Sequence, residues 1–424
     1  MRILAMLGAT VSVWLLRDPY HGLDHDAMLY SLQALARISP DLYAHDLFLR
    51  YGSQEKYTLF TPFFAYWISL LGLPVAAAAL TCAFQAFFFA GLLVLAARVM
   101  DRRLAWLAAG IALSVPGYYG AYEIFEIVEP FLTPRLPAEG LLVLGLAAHV
   151  SGARILGYAI SFAALCVHPL MSFPVLCLMG WSDRPEGTTT FILVLGVLSV
   201  GAVTALAFFH PIGSICIMDG EWLRIVRTRN LYLFLDSWRV EDWQRIVAFM
   251  SLPLMALQLH GSPSTRRLLE ACVAVGLCGL ALAAYTSFGP KIPLLLQGQP
   301  WRWLWPTTLM SLLLAPWLIF ALWREGDIGR TCSCLVVGTL AHIENAGFLG
   351  LVACVLWIAR ERIEPRHGRS LRMGGFAVAA VVAISAFADI YSALTIRFLT
   401  GQWPAVISIT RNIVSFVVPA VLLL

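Results

Sequence analysis

The chain has 424 residues, of which 60% are hydrophobic and 13% charged, with a formal charge of +4; its mean hydropathy is +0.79. A soluble domain of this length needs far more charge to cover its surface, whereas long apolar runs broken by short charged loops are the mark of membrane spans. The basic residues are scattered as pairs such as Arg102-Arg103 and Arg266-Arg267, which argues against nucleic acid as a partner.

Met1-Arg2 opens an apolar run to Leu16 with no small-x-small cleavage site before Arg17, so it reads as an uncleaved first span. Further runs cover 58–75, 76–98, 104–119, 137–150, 155–181, 190–209, 246–259, 268–287, 303–322, 331–359, 373–388 and 412–424. The last, from Ile413, is too short to cross a bilayer and points to a truncated C-terminal end. Gly72-Leu73-Pro74 separates the second and third runs. The run 155–181 is too long for one span and is interrupted by Pro169 and Pro174; 331–359 carries His342, Glu344 and Asn345 at its middle. Each is expected to be a hairpin of two short helices. The expectation is one all-α transmembrane domain over 1–424, a polytopic bundle of about 11 to 14 helical segments.

The positive-inside rule puts Arg2, Arg102-Arg103, Arg154, Arg266-Arg267, Arg324 and the stretch Arg360 to Arg372 on the cytoplasmic side. Segments 17–57, 118–137, 210–245, 287–302 and 389–411 are then outside. They are rich in Trp, Tyr, Arg, Asp and Glu, as amphipathic surface helices and ordered loops are. Most of the nine Cys lie inside apolar runs and behave as small hydrophobes; Cys332 and Cys334 have no second Cys/His pair at zinc-site spacing.

In the first outer loop, 17–57, Asp24-His25-Asp26 precedes a helical stripe of Leu29, Leu32 and Ala36. Asp24 or Asp26 is either a helix N-cap or a general base for an acceptor hydroxyl or amine, and the pair could hold a divalent cation. Glu123, Glu126 and Glu129 recur every third residue. They form either a solvated interfacial helix or a second acidic site, with Arg135 reaching a lipid phosphate. His168, at the middle of a run, is either a cap on a broken helix or a functional group. Arg224, Arg227 and Arg229 interleave with Trp and Tyr as an interfacial belt able to grip phosphates. Lys291 and Arg302, the latter between Trp301 and Trp303, stand before a span. Arg302 is either a snorkelling anchor or a phosphate clamp.

The order Asp24-His25-Asp26, Tyr30, Ala36-Arg37, Thr61-Pro62 and Tyr66-Trp67 resembles the GT-C superfamily of polyprenyl-phosphate-sugar-dependent membrane glycosyltransferases, most of all the aminoarabinose-transferase and protein-mannosyltransferase branch. The likeness is best over the first hundred residues. Glu55 to Pro62 departs from the Lys-Pro-Pro run of that branch. The resemblance implies sugar transfer from a polyprenyl-phosphate donor to a glycan, lipid or protein acceptor at the periplasmic face of a bacterial inner membrane. Asp24 or Asp26 would then be catalytic and Glu129 the counterpart of a second acidic residue; on the residues' own chemistry Arg302, Lys291, Arg135, Arg229 and His168 are the candidate phosphate and substrate contacts. The competing readings are a transporter or lipid flippase, and an outer-face glycan polymerase or ligase. No G-x-S-x-G, P-loop or H-E-x-x-H motif occurs.

Overall fold

Without water to satisfy them, backbone N–H and C=O groups must pair within the chain, and helices do so segment by segment. The computed structural model describes residues 20–53 and 55–400, and among these all regular structure is helical except for two isolated bridges. Four helices are long and apolar enough to cross a membrane: Leu73–Val99, Thr189–Phe209, Pro263–Phe288 and Pro293–Trp323. The expected spans at 3–16 and 412–424, with most of the segment 389–411, lie outside the described residues or their described side chains.

The principal helices are α1 (Asp26–Ile38), α2 (Phe60–Leu71), α3 (Leu73–Val99), α4 (Arg102–Ser114), α5 (Arg135–Val150), α6 (Arg154–Val167), α7 (Pro169–Asp183) and α8 (Thr189–Phe209). They continue with α9 (Gly220–Arg229), α10 (Val240–Leu259), α11 (Pro263–Phe288), α12 (Trp305–Trp323), α13 (Gly326–Ala341), α14 (Phe348–Ile358) and α15 (Arg360–Thr400). Gly72, at a φ of 75°, breaks α2 from α3, and both expected hairpins are present. One turns at His168, the other at the short turn between α13 and α14. The basic stretch expected as a loop is instead the start of the 41-residue α15. It is docked on α13 by Arg372 to Asp327 at 2.8 Å and by the Glu364 carboxylate, which accepts from the Asp327 N–H at 2.8 Å.

α12 is the hub. It packs on α4, α10, α11 and α13, and it joins its neighbours through hydroxyls: Thr307 to the Cys272 carbonyl at 2.8 Å, Ser311 to that of Phe249. Such bonds satisfy polar groups where water is absent. α5 and α6 meet through small residues, and a side chain on Gly157 would sit 2.8 Å from the Gly145 carbonyl. α8 stands at the edge with 6% of its apolar window buried. Between it, α7 and α11 lies an apolar cleft of about 790 Å³, lined among others by Trp181, Val197, Leu282 and Trp303.

The segment 118–137 is not the solvated helix that the Glu spacing allows. Pro116, Pro130 and Pro134 with Gly117 and Gly120 stop a helix from propagating. Residues 115–134 form a buried loop inside the principal core.

Candidate functional site

The 115–134 loop is clamped from two sides. At its first bend the Asp242 carboxylate, fully buried on α10, accepts from the Tyr122 N–H at 3.0 Å and the Arg239 N–H at 2.9 Å and pairs with Arg245. The Tyr122 hydroxyl donates to the Ser237 carbonyl. Glu123 faces Arg245 at 3.1 Å and Arg239 at 3.6 Å. At its second bend Gln85 of α3 donates to the Glu129 carbonyl at 2.9 Å, and the Glu139 carboxylate of α5 accepts from the Val128 N–H at 3.1 Å. The three Glu thus go to different places: Glu123 to the arginines, Glu126 into the interior, Glu129 to the site.

Arg135, at the N-terminal end of α5 and 2% exposed, is the centre. Its Nε donates to Glu129 at 2.7 Å and its Nη1 to Asp26 at 2.9 Å. Thr133 donates to the other Glu129 oxygen at 2.6 Å. Asp26 opens α1 and is the one carboxylate of the group that reaches solvent, at 26% exposed. Burial alone would push its carboxyl up. The Arg135 charge and hydrogen bond, helped by His25 and Arg302, hold it below the ordinary carboxylate value. Tyr30 lies one turn along α1, and burial pushes its phenol up.

Arg302 differs from Arg135 in one respect. It is 5% exposed, its Nε donates to the Gln299 amide oxygen, and its guanidinium carbon lies 3.9 Å from the Phe125 ring centre. No carboxylate among the described residues forms an ion pair with it; its Nη1, like the Nη2 of Arg135, has no partner. Phe125 also carries Arg135 at 4.7 Å and stacks on Tyr119 and Trp301. Trp301 in turn packs against Gly120, where a Cβ would sit 2.3 Å from the ring and the φ of 82° separately disfavours a side chain. An aromatic floor therefore supports two guanidinium groups, of which one is paired with two carboxylates and the other, among the described residues, with none.

Among the described residues, five that are not glycine have positive φ: His25 (49°), Tyr122 (58°), Glu123 (56°), Val128 (65°) and Gln299 (44°). Each lies within three residues of Asp26, Phe125, Glu129 or Arg302. Strained backbone gathered round one cluster is the pattern of a functional site.

The structure therefore brings together Asp26, Glu129, Arg135 and Arg302; His168 is buried at the break between α6 and α7, where its Nδ1 accepts from the Met171 N–H at 3.2 Å. It does not bring in Asp24, which is exposed and accepts from the N–H of His25 at 2.8 Å. Lys291 is spent as a helix cap: its Nζ donates to the carbonyls of Thr286 at 3.1 Å and Gly289 at 3.0 Å, and to that of Ser287. Burial and the nearby Arg227 pull its pKa down. Arg229 is exposed in the last turn of α9. As for a divalent cation, the donor set does not fit one. The Asp26 and Glu129 oxygens are turned to Arg135, and the described residues contain no group of three or more His, Cys, Asp or Glu side chains placed to hold a metal.

Tyr119, Phe125, Thr133, Glu139 and Gln299 were not singled out by sequence. For Glu139 a signal existed: an ionisable residue near the start of the apolar run 137–150. For the others none did, since their roles depend on how the loop folds.

No family model matches the chain, and no curated protein or solved structure matches it either.

Proposed function

We propose that this chain is a polytopic membrane enzyme of GT-C type, transferring a sugar from a polyprenyl-phosphate donor at the outer membrane face. The observation that carries the reading is Arg302: a buried guanidinium with an unpartnered N–H and no carboxylate counter-ion among the described residues. Burying an unpaired cation is costly unless an anion completes the site, and a guanidinium fork suits phosphate oxygens. Trp303, the next residue, lines the apolar cleft. A phosphate on Arg302 would then have a hydrocarbon channel beside it for its tail.

In the proposed reaction the acceptor oxygen attacks the anomeric carbon, and the bond from that carbon to the phosphate oxygen breaks. The prenyl phosphate leaves with the electron pair, its charge held by Arg302. The acceptor proton passes to the Asp26 carboxylate and then to water. A carboxylate this weakly basic takes the proton late, when attack has already acidified the hydroxyl. Arg135 and Glu129 fix Asp26 in place.

The test is transfer of labelled sugar from polyprenyl-phosphate donors by the purified protein in lipid nanodiscs. Asp26→Asn is expected to lower turnover about 10²- to 10⁴-fold with lipid retention unchanged. Arg302→Gln is expected to lose the lipid, and Asp24→Asn to behave as wild type. Retention of the lipid with no transfer to any acceptor class would move the transport reading ahead.

A further inference from the structure

The segment 21–26 lies across the end of the 115–134 loop and is registered on it at three points. The His21 N–H donates to the Pro130 carbonyl at 3.0 Å. The His25 ring stacks on Phe131, with 5.8 Å between centres and 26° between planes, and Asp26 reaches Arg135 at 2.9 Å. His25 holds the N-cap position of α1, yet its side chain makes no capping hydrogen bond there. Its backbone sits at φ 49° and ψ −130°, outside the ordinary regions for a residue with a side chain, and its N–H is taken by the Asp24 carboxylate at 2.8 Å. What this strained backbone secures is the position of the ring, against Phe131 and beside Asp26.

The contact with Asp26 is the one that bears on chemistry. The His25 Nδ1 lies 3.4 Å from Asp26 Oδ1, while the other oxygen, Oδ2, is bound by Arg135. The carboxylate thus stands between a guanidinium, which keeps its protons, and an imidazole, which gains and loses one near neutral pH. The charged groups facing this pair are Asp24 on its own segment, and Glu129 and Arg135 across from it; Glu129 is bound at both oxygens, by Thr133 and Arg135. Side-chain exposure rises in one direction, from Glu129 at 4% through Asp26 at 26% to His25 at 48%. A proton that arrives on Asp26 therefore has a base on its solvent side and none on its buried side.

We infer that His25 is the proton outlet of the site: the proton that Asp26 takes from the acceptor passes from Oδ1 to Nδ1 of the neutral imidazole, and the exposed ring returns it to water. Only O–H and N–H bonds change in this step. Asp26 ends as a carboxylate and His25 as a neutral ring, both ready for the next turnover. The inference rests on the sugar transfer proposed above and places a ring between Asp26 and water. It also fixes the sign of a pH effect. A ring that is already protonated cannot take the proton, so turnover falls as pH drops through the imidazole range, between about pH 8 and 5.

The experiment measures sugar transfer across pH by the wild type, His25→Asn and His25→Phe in nanodiscs, each with and without added imidazole. Asparagine tolerates a positive φ, phenylalanine keeps a ring on Phe131, and neither takes up a proton. The result is read in whichever of the two keeps the wild-type thermal midpoint. That variant is expected to lose about 10²-fold in kcat, the lower end of what a proton-transfer group contributes, with KM for the donor unchanged. Its rate should no longer fall through the imidazole range, and added imidazole should restore turnover while leaving the wild type unmoved. Restoration is what a merely structural role would not give. A variant as fast as the wild type, or a slow one that imidazole does not restore, overturns the assignment and leaves Asp26 and Arg302 as proposed. A wild type that transfers sugar from no donor overturns the sugar-transfer reading and this inference with it, so the wild-type rate alone tells the two failures apart.

Discussion

Val128 is β-branched and held at a φ of 65°, a conformation such residues rarely adopt. It persists because the Glu139 carboxylate takes its N–H at 3.1 Å and Arg135 takes the next side chain, Glu129, at 2.7 Å. Glu139→Gln keeps an acceptor for that N–H and should leave the fold intact, whereas Glu139→Leu leaves the N–H buried without a partner. That costs about 1–3 kcal/mol before the backbone strain is counted, read as a lower thermal midpoint in detergent. At Gly120 any side chain meets both an unfavourable φ and the Trp301 ring. Gly120→Ala should accordingly cost more than about 2 kcal/mol and weaken phosphate binding with it. Asp26 gives the pH test. Its folded pKa is lowered, so the stability it confers is full above the unfolded value near 4 and is lost as pH falls through the lower folded value. The melting gap between wild type and Asp26→Asn should be constant from pH 6 to 8 and close only in acid; a gap that closes near neutrality would contradict the ion pair with Arg135. Sequence alone left Asp24 and Asp26 equivalent, two residues apart beside one helix start. What separates them is Arg135, 109 residues away, and no local pattern encodes that.

At the scale of elements, helices were legible and the loop was not. Most of the apolar runs among the described residues, the Gly72 break and the polar interruptions at His168 and His342 coincide with helix boundaries, since those signals are local; the run 373–388 does not, lying inside α15. The 115–134 loop has its partners on α3, α5 and α10, far along the chain, so its Glu spacing read as one face of a helix. The α10 clamp is what makes the loop a fixed wall. Asp242 accepts two backbone N–H groups and pairs with Arg245. Asp242→Ala leaves those two N–H donors without their acceptor and takes one of two carboxylates from a 1% exposed guanidinium, which keeps Glu123 at 3.1 Å, a loss of roughly 1–3 kcal/mol. Limited proteolysis should then cut within 115–134, a segment resistant in the wild type. An uncut loop in a destabilised Asp242→Ala protein would mean that the clamp at Gln85 and Glu139 suffices alone.

Across the whole molecule, polar side chains collect at two ends. α5 joins them: Arg135 begins it in the site, and His149 lies in its last turn, roughly 21 Å away at 1.5 Å per residue. At that far end Asp183 gathers Arg154 at 3.2 Å, the Tyr158 hydroxyl at 3.2 Å and His149 at 3.5 Å, and Arg184 pairs with Glu270 of α11. These side chains tie α5, α6, α7 and α11 into one block below the site. The positive-inside reading of the sequence expects this end on the cytoplasmic side, which would put the candidate site on the other. Exposed positions near each end make this orientation measurable. Single cysteines at Asp41 and Glu221, near the site end, and at Glu186 and Arg366, near the far end, would be placed in a chain whose nine native cysteines are replaced. In intact cells a membrane-impermeant maleimide should label the first pair, and the second only after the cells are opened. The reverse pattern would put Asp26 and Arg302 in the cytoplasm, where a lipid-linked sugar presented outside could not reach them. Labelling of all four in intact cells would mean that the two ends do not lie on opposite sides of a membrane, and the polytopic reading would fall with it.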